Sequence, residues 1–328
     1  MRTIRWGIIG CGDVTEVKSG PGFQKASHSS LVAVMRRRGE LARDYAERHG
    51  VPRWYDNAAS LINDSEVDAV YIATPPSSHK GYTLMCAHAG KPVYVEKPMA
   101  LNFAECEEMI RASASAGVPL FVAYYRRALA RFLKIKDLVD SGVIGEVRSV
   151  NITLHQPIAR EDLDLQNLPW RVDRAVAGGG RFVDLASHML DFLDYLFGPI
   201  IAVHGLAANQ AGKYAVEDIV TSTFRFATGV QGTGTWCFTA SENRDYTEIV
   251  GSEGKLAYST FDAKPIALTT RDGMTEFSLE YPQHIEQSLI QTVVDELNEV
   301  GKCPSTGESA ARTSRVMDQM LAEQRTSS

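Results

Sequence analysis

Lys97 is the first residue whose surroundings in the sequence suggest chemistry. It stands in the tripeptide Glu96-Lys97-Pro98, directly after a short apolar run at residues 93–95 that predicts a strand. Ligands of open α/β sheets bind at the carboxyl ends of the strands. We therefore expect the lysine to reach a ligand crevice from a turn that the proline makes rigid. Without that context, a solvated loop lysine would be the commoner interpretation.

Asp184 and His188 are the second candidate. They lie four residues apart in a helical pattern, and residues at this spacing share one face of a helix. A carboxylate beside an imidazole can orient the ring and stabilise its protonated form, which suits removal of a proton from an alcohol. The spacing alone also fits a surface ion pair, which is more common. A metal site is the least favoured interpretation, because Asp191 and Asp194 do not both lie on that face.

A glycine-rich turn, Gly10-Cys11-Gly12, follows the first predicted strand at residues 4–9. In a dinucleotide-binding turn the first glycine permits the tight bend. The second lets a pyrophosphate approach the backbone at a helix N-terminus. Thr15 stands where the third glycine of the motif would be, so the motif is degenerate. Its position after the first strand favours nucleotide binding over an ordinary strand–helix turn.

Three consecutive arginines, Arg36, Arg37 and Arg38, follow the second predicted strand, and the next acidic residue is Glu40. A carboxylate at the end of this strand would bind the ribose 2′-hydroxyl of NAD, whereas a guanidinium binds a 2′-phosphate in bidentate fashion. We therefore predict NADP as the preferred cofactor, with NAD possible. Solvated arginines at the start of a helix are the alternative.

The elements that must position these residues change in character near residue 124. Before it, short apolar runs alternate with amphipathic helical stretches at 41–49, 77–89 and 102–116, which predicts a doubly wound parallel sheet of the Rossmann type over residues 1–123. The runs that predict strands are 4–9, 31–35, 69–73, 93–95 and 120–123.

After residue 124 the pattern predicts a second, α+β domain over residues 124–328, with a large, open and mostly antiparallel sheet that carries helices on one face. The predicted helices are 128–141, 181–198, 284–300 and 309–324. The predicted strands are 147–155, 219–226, 230–239, 247–250, 255–259 and 275–279, with a hairpin turn at 227–229.

The composition argues against several classes of function. The chain has 328 residues and a net charge of −6, so we expect no nucleic-acid partner. It has no apolar stretch of membrane-spanning length and no signal-peptide core, so we expect no membrane partner. Its five cysteines form no CxxC pair. This pattern favours a soluble protein of the reducing cytoplasm, without a zinc site or disulfide framework.

Together these motifs resemble the Gfo/Idh/MocA family, named for glucose–fructose oxidoreductase and inositol dehydrogenase. The matching segments occur in the family's order and cover about residues 4–200. They are 7–12, 71–79, 95–98, 125–127 and 178–194. The resemblance implies a Rossmann domain joined to a mixed-sheet domain whose open face often mediates oligomers. It also implies hydride transfer between a nicotinamide cofactor and a carbohydrate hydroxyl or carbonyl.

The resemblance maps the catalytic lysine to Lys97 and the acid/base pair to Asp184 and His188. The residues that we predict to bind the cofactor are Gly10, Gly12, Asp13, Val14, Arg36, Arg37, Thr74, Pro75, His79, Glu96 and Lys97. Two positions depart from the family pattern. Many relatives carry aspartate where this chain has Arg36, which favours NADP. Many carry asparagine or histidine in place of Tyr125, so substrate contacts there cannot be transferred.

The predicted mechanism places a substrate hydroxyl between Lys97 and His188, which lie in different predicted domains. His188 exchanges the hydroxyl proton, Asp184 orients His188, and the Lys97 charge stabilises the developing alkoxide. Which of Lys97 and His188 accepts the proton stays open. Tyr125, Trp170 and Arg171 are candidate substrate-pocket residues, with core packing the alternative for the tryptophan.

Two rival functions fit the same motifs. One is a glycosidase of this fold that keeps NAD bound and oxidises its substrate transiently. The other is a non-catalytic regulator that senses a sugar or a cofactor. A regulator does not need Lys97, Asp184 and His188 together, which disfavours it. We further expect a homodimer or homotetramer formed through an apolar face of the second sheet, at strands 219–226 and 230–239.

Overall fold

The computed structural model describes residues 1–164 and 166–323, and its contacts divide the chain into two compact units. The first unit comprises Met1–Leu129 and Pro282–Ala311, and the second comprises Ala130–Tyr281 and the chain from Arg312 onward. Residues 165 and 324–328, which belong to the second predicted domain, lie outside the described residues. The segment Pro282–Ala311 therefore packs with the first unit, although its distance in sequence placed it in the second predicted domain.

The first unit is built on a six-stranded parallel sheet with the strand order β3-β2-β1-β4-β5-β6. Its strands are β1 Ile4–Ile9, β2 Ser29–Met35, β3 Arg53–Tyr55, β4 Ala69–Ile72, β5 Val93–Val95 and β6 Leu120–Val122. All residues of β4, β5 and β6 are buried, as expected where helices cover both faces of a parallel sheet. The predicted Rossmann fold class is confirmed.

Helices of the first unit connect these strands, and their ends follow the capping residues. The helices are α1 Asp13–Val17, α2 Gly20–Lys25, α3 Gly39–His49, α4 Ala58–Ile62, α5 His79–His88 and α6 Phe103–Ala116. At the start of α6 the Asn102 side chain accepts a hydrogen bond from the Glu105 backbone, and Gly117 ends the helix with a positive φ of 67°. These two caps set the ends of the helical stretch predicted at 102–116.

The second unit holds an eight-stranded sheet with the order β14-β13-β12-β11-β7-β10-β9-β8. Its strands are β7 Val147–His155, β8 Ile200–Ala208, β9 Ile219–Phe226, β10 Gln231–Cys237, β11 Arg244–Gly251, β12 Gly254–Tyr258, β13 Ile266–Thr270 and β14 Gly273–Phe277. The pair β7–β10 is parallel and the other pairs are antiparallel, which confirms the predicted mostly antiparallel sheet.

Three helices precede or interrupt this sheet, and two follow it along the chain. They are α7 Ala130–Asp140, α8 Arg174–Ala177, α9 Arg181–Phe197, α10 Gln287–Leu297 and α11 Gly307–Met320. Helix α9 packs on the sheet through Phe182, whose ring meets Trp236 edge-on at 5.2 Å. None of the helices among the described residues is long and apolar enough to cross a membrane.

The other face of strands β7, β9 and β10 is more polar than we expected. Its side chains include Asn151, Thr223 and Thr233, and Thr233 donates a hydrogen bond to Asn151 at 2.8 Å. Exposed apolar side chains lie at its margin on β8, where Leu206 is 65% exposed. The prediction of an apolar sheet face is therefore wrong. The alternation of apolar and polar residues along these strands correctly located the buried face. The residues between the buried positions, which form the open face, are mostly threonine, serine and asparagine.

Candidate functional site

The glycine turn joins β1 to α1 and leaves room for a ligand. Gly10 has φ +93°, and a Cβ added there would lie 2.7 Å from the Thr74 methyl carbon, so only glycine fits. A Cβ added to Gly12, the N-cap of α1, would meet only the Gly10 carbonyl oxygen, at 3.9 Å. The backbone at Gly12, which leads into Asp13 and Val14, is thus open to close approach by a phosphate group.

Thr15 replaces the third glycine of the motif and is fully buried. The Thr15 hydroxyl donates to the Gly12 carbonyl at 2.7 Å, and the Thr15 carbonyl accepts a hydrogen bond of 2.8 Å from the Tyr45 hydroxyl. The close approach between α1 and α2 occurs instead at Gly20, the first residue of α2, where an added Cβ would lie 2.2 Å from the Thr15 carbonyl oxygen. Gly20 was not predicted as a site residue, and its one mark in the sequence is its position at the start of α2.

Arg36 lies against the glycine turn. Its Nη1 atom is 3.4 Å from the carbonyl oxygen of Cys11, and its backbone N–H bonds the Tyr55 carbonyl. Arg37 is exposed beside it, whereas Arg38 forms an exposed ion pair with Glu40 at 2.8 Å. Of the three guanidinium groups, the Arg36 group is therefore the one seen to lie beside the glycine turn.

His79 connects two turns at the carboxyl edge of the parallel sheet. Its Nε2 atom lies 2.6 Å from the Thr74 carbonyl oxygen, and its Nδ1 atom lies 3.1 Å from the Pro98 carbonyl oxygen. The ring is fully buried. His79 therefore holds the turn that carries Thr74 and Pro75 against the turn after Lys97, so any effect on a cofactor is exerted through those turns.

Lys97 follows β5 at this edge, and its side chain is half-buried. Its backbone N–H donates to Glu96 Oε2 at 3.1 Å. The Glu96 carboxyl is buried and accepts a hydrogen bond of 2.6 Å from the Tyr71 hydroxyl. Glu286, just before α10, lies 3.4 Å from the same hydroxyl. Sequence reasoning missed Glu286, because no local pattern distinguishes it from a surface glutamate.

Asp184 and His188 lie one turn apart on α9, as predicted. The Gly180 backbone N–H at the start of this helix donates to the buried Glu217 carboxylate at 2.6 Å. His188 is 4% exposed, and its ring centroid is 6.1 Å from that of Phe261. The Asp184 carboxylate lies 3.3 Å from Nε of Arg171. This aspartate is therefore held by a cation as well as being placed on the histidine's helix face.

The three candidate substrate residues have different surroundings. Arg171 stacks on the half-buried ring of Trp170, with its guanidinium carbon 4.5 Å from the ring centroid. Trp170 is thus part of a surface cation–π pair, and the core-packing alternative does not hold. Tyr125 is buried in the first unit under the Arg126 guanidinium, which lies 5.0 Å from its ring centroid.

The metal interpretation of α9 finds no support in the described residues. Asp194 forms a bidentate ion pair with Arg312, at 2.6 and 2.9 Å, which occupies both carboxylate oxygens. Across residues 1–164 and 166–323, no three acidic, histidine or cysteine side chains are grouped as metal ligands.

Comparisons with known proteins identify the family of the chain. Residues 4–124 match the model of the oxidoreductase family with an NAD-binding Rossmann fold, and residues 132–257 match the GFO/IDH/MocA C-terminal domain. A protein named Oxidoreductase P35 from Formosa agariphila is 40% identical over 317 residues, covering 96% of this chain and 97% of its own. A 1,5-anhydro-D-fructose reductase from Ensifer adhaerens is 29% identical, covering 93% and 91%.

A solved structure shows the same architecture across the whole chain. The aldose–aldose oxidoreductase from Caulobacter crescentus, determined with glycerol, superposes with a TM-score of 0.87 at 25% identity. The match covers 100% of this chain and 99% of the other. Because two family models span most of the chain, the protein belongs to the GFO/IDH/MocA oxidoreductase family, with an NAD-binding Rossmann fold in its first unit.

Proposed function

We propose that the protein is an NADP-preferring dehydrogenase or reductase that acts on a hydroxyl or carbonyl carbon of a sugar or polyol. The observation that carries the proposal is the arrangement at the carboxyl edge of the parallel sheet. An open glycine turn, the Arg36 guanidinium against it and the half-buried Lys97 all belong to that edge. The names of two similar proteins, an anhydrofructose reductase and an aldose–aldose oxidoreductase, support a carbohydrate substrate.

The bound nicotinamide would supply or accept the hydride, and the protein's own residues would manage charge and protons. In this proposal Lys97 stabilises negative charge on the substrate oxygen, and His188 exchanges the hydroxyl proton. Asp184 holds the imidazole in the orientation and tautomer that this exchange needs. The ion pair between Arg171 and Asp184 limits the rotation of the carboxylate.

A spectrophotometric screen tests this function directly. Oxidation or reduction of NADP(H) would be followed with sugars, inositols, sugar acids and 1,2-diols. Turnover of at least one compound supports the proposal. Turnover of a glycoside with no added cofactor would instead support the glycosidase. Tight binding of cofactor and sugar, with no turnover of any compound, would support a regulator.

Cofactor preference follows from the arginines after β2. We expect NADPH to bind more tightly than NADH, because the Arg36 and Arg37 guanidiniums can pair with the 2′-phosphate. Replacing Arg36 with Asp and Arg37 with Ala should reverse the preference. The measurement is the Kd of each cofactor by fluorescence titration. Arg38→Ala is the matched control, since Arg38 is already paired with Glu40. Equal Kd values in the parent protein would contradict the prediction.

We also propose that the protein forms a homodimer or homotetramer through the open face of the second sheet, next to Leu206. Light scattering should give a mass that is a multiple of the 36.0 kDa chain. Leu206→Arg should lower that mass by placing a charge in the interface. Val300→Arg, an exposed apolar position in the first unit, should leave it unchanged. A monomeric parent protein at micromolar concentration would overturn the proposal.

A further inference from the structure

A buried pair of carboxyl groups lies beside the Lys97 turn. Glu96 is 7% exposed and Glu286 is 1% exposed, and both belong to the first unit. The Tyr71 hydroxyl connects them, at 2.6 Å from Glu96 Oε1 and 3.4 Å from Glu286 Oε2. The pair joins two distant parts of the chain, since Glu96 follows β5 and Glu286 is the N-cap residue of α10.

The charge of this pair depends on how many protons the Tyr71 hydroxyl and the two carboxyl groups share. The Tyr71 hydroxyl has a single proton and donates it over the shorter distance, to Glu96. The Glu286 carboxyl lies near the oxygen of the same hydroxyl, and the two groups repel each other unless Glu286 is protonated. Two buried carboxyl groups that share one hydroxyl repel each other when both are ionised, which favours the neutral form of one of them. Burial, and next the charge of Glu96, raise the pKa of Glu286 well above its usual value. Glu286 is therefore the protonated member.

The other ionisable groups around the pair do not change the conclusion that Glu286 is protonated. Lys18 is the cation that favours ionisation of Glu286, and its exposed side chain is screened by water. Tyr71 and Tyr94 flank the carboxyls from β4 and β5, and burial raises the pKa of both phenols. The remaining neighbours are already engaged by other groups. His284 contacts Lys25 and the Val17 carbonyl, and His79 bonds backbone carbonyls.

Glu96 carries the effect of this network to Lys97. One of its oxygens accepts the Tyr71 proton, and the other accepts the Lys97 backbone N–H at 3.1 Å. We infer that Glu286, as a neutral hydrogen-bond donor, is a positioning residue for Lys97: with Tyr71 it holds the Glu96 carboxylate in the orientation that fixes the Lys97 backbone. The positioning of a catalytic lysine rests on the proposed function, whereas the protonation of Glu286 does not.

Unfolding in urea at several pH values tests the protonation. A carboxyl that is protonated in the folded state but ionised in the unfolded chain makes the fold less stable as pH rises above the unfolded pKa. Relative to Glu286→Gln, the parent protein's unfolding constant should therefore rise about tenfold per pH unit above about pH 4.3, up to the folded pKa. Glu299→Gln, an exposed matched control, should show no such trend. A ratio of parent to Glu286→Gln that does not change with pH would overturn the inference.

Three variants test the positioning. Glu286→Gln keeps a neutral donor, so its kcat should stay near that of the parent. Glu286→Leu and Tyr71→Phe should lower kcat by about 10- to 100-fold with little change in the Kd for NADPH, because a displaced reactive group is costly. The rate at which an acylating reagent modifies Lys97, read by mass spectrometry, should change in these two variants only. Parent-like kcat and Lys97 reactivity in Tyr71→Phe would contradict the positioning role, even if Glu286→Leu does not fold.

These readouts separate the two proposals. If no sugar or polyol is turned over, the proposed function fails, while the urea series and the Lys97 modification rate still decide the inference. If turnover is found but Glu286→Gln loses as much kcat as Glu286→Leu, the positioning role of a neutral donor is wrong and the proposed function stands.

Discussion

Replacing Lys97 with methionine is expected to lower kcat by about 10²–10³-fold, because the substitution removes the charge that stabilises negative charge on the substrate oxygen. Methionine retains much of the length of the side chain, so the backbone hydrogen bond to Glu96 should survive. The Kd for NADPH should change little. Steady-state kinetics on the substrate found in the screen, together with cofactor titration, measure both quantities.

Lys302→Met is the matched control for this experiment. Its side chain is exposed and forms an ion pair with Glu296, far in sequence from the predicted site. It should have the kcat and the cofactor Kd of the parent protein. If Lys97→Met keeps the parent kcat on the true substrate, the catalytic assignment of Lys97 is wrong, and the residue is a surface lysine at the edge of the sheet.

His188→Ala should lower kcat by a similar order and flatten the pH–rate profile, because proton exchange by a positioned imidazole contributes about 10²–10⁴-fold. The pH profile of kcat/KM measures this effect. Asp184→Asn should cost less than His188→Ala, since in the proposed mechanism the aspartate orients the ring without exchanging the proton. His88→Ala is the control, because His88 is exposed at the end of α5.

The double variant Lys97→Met/His188→Ala tests whether the two residues serve one reaction. Groups that act as a unit show losses that are smaller together than the product of the separate losses. We expect such non-additivity. Strictly multiplicative losses would mean that the two side chains act independently, and the Asp184–His188 pair would then be interpreted as a structural feature of α9.

The features predictable from the sequence were those carried by neighbouring residues. The apolar runs at β4 and β5 are continuous because both faces of a parallel sheet are buried. Asn102 and Gly117 marked the ends of α6 because capping depends on residues within one turn. The glycine turn and the i, i+4 spacing of Asp184 and His188 are local in the same sense.

Strands that depend on distant partners were predicted less well. The strands β3, β8 and β13 were missed, because strand formation depends on pairing and packing with neighbouring strands, which the local sequence does not show. The helix predicted from residue 284 begins at Gln287. His284, which the pattern placed in the helix, instead bonds Lys25 and the Val17 carbonyl.

The sequence by itself determined the fold class, the position of the dinucleotide turn and the residue types able to carry hydride-transfer chemistry. Only the tertiary structure decided which partners those residues have. Glu286 meets Tyr71 across 215 residues, Arg312 meets Asp194 across 118, and His79 meets the Pro98 carbonyl across 19. Such contacts leave no trace in local periodicity, because the groups come together only when the chain folds and burial makes an unpartnered polar group costly.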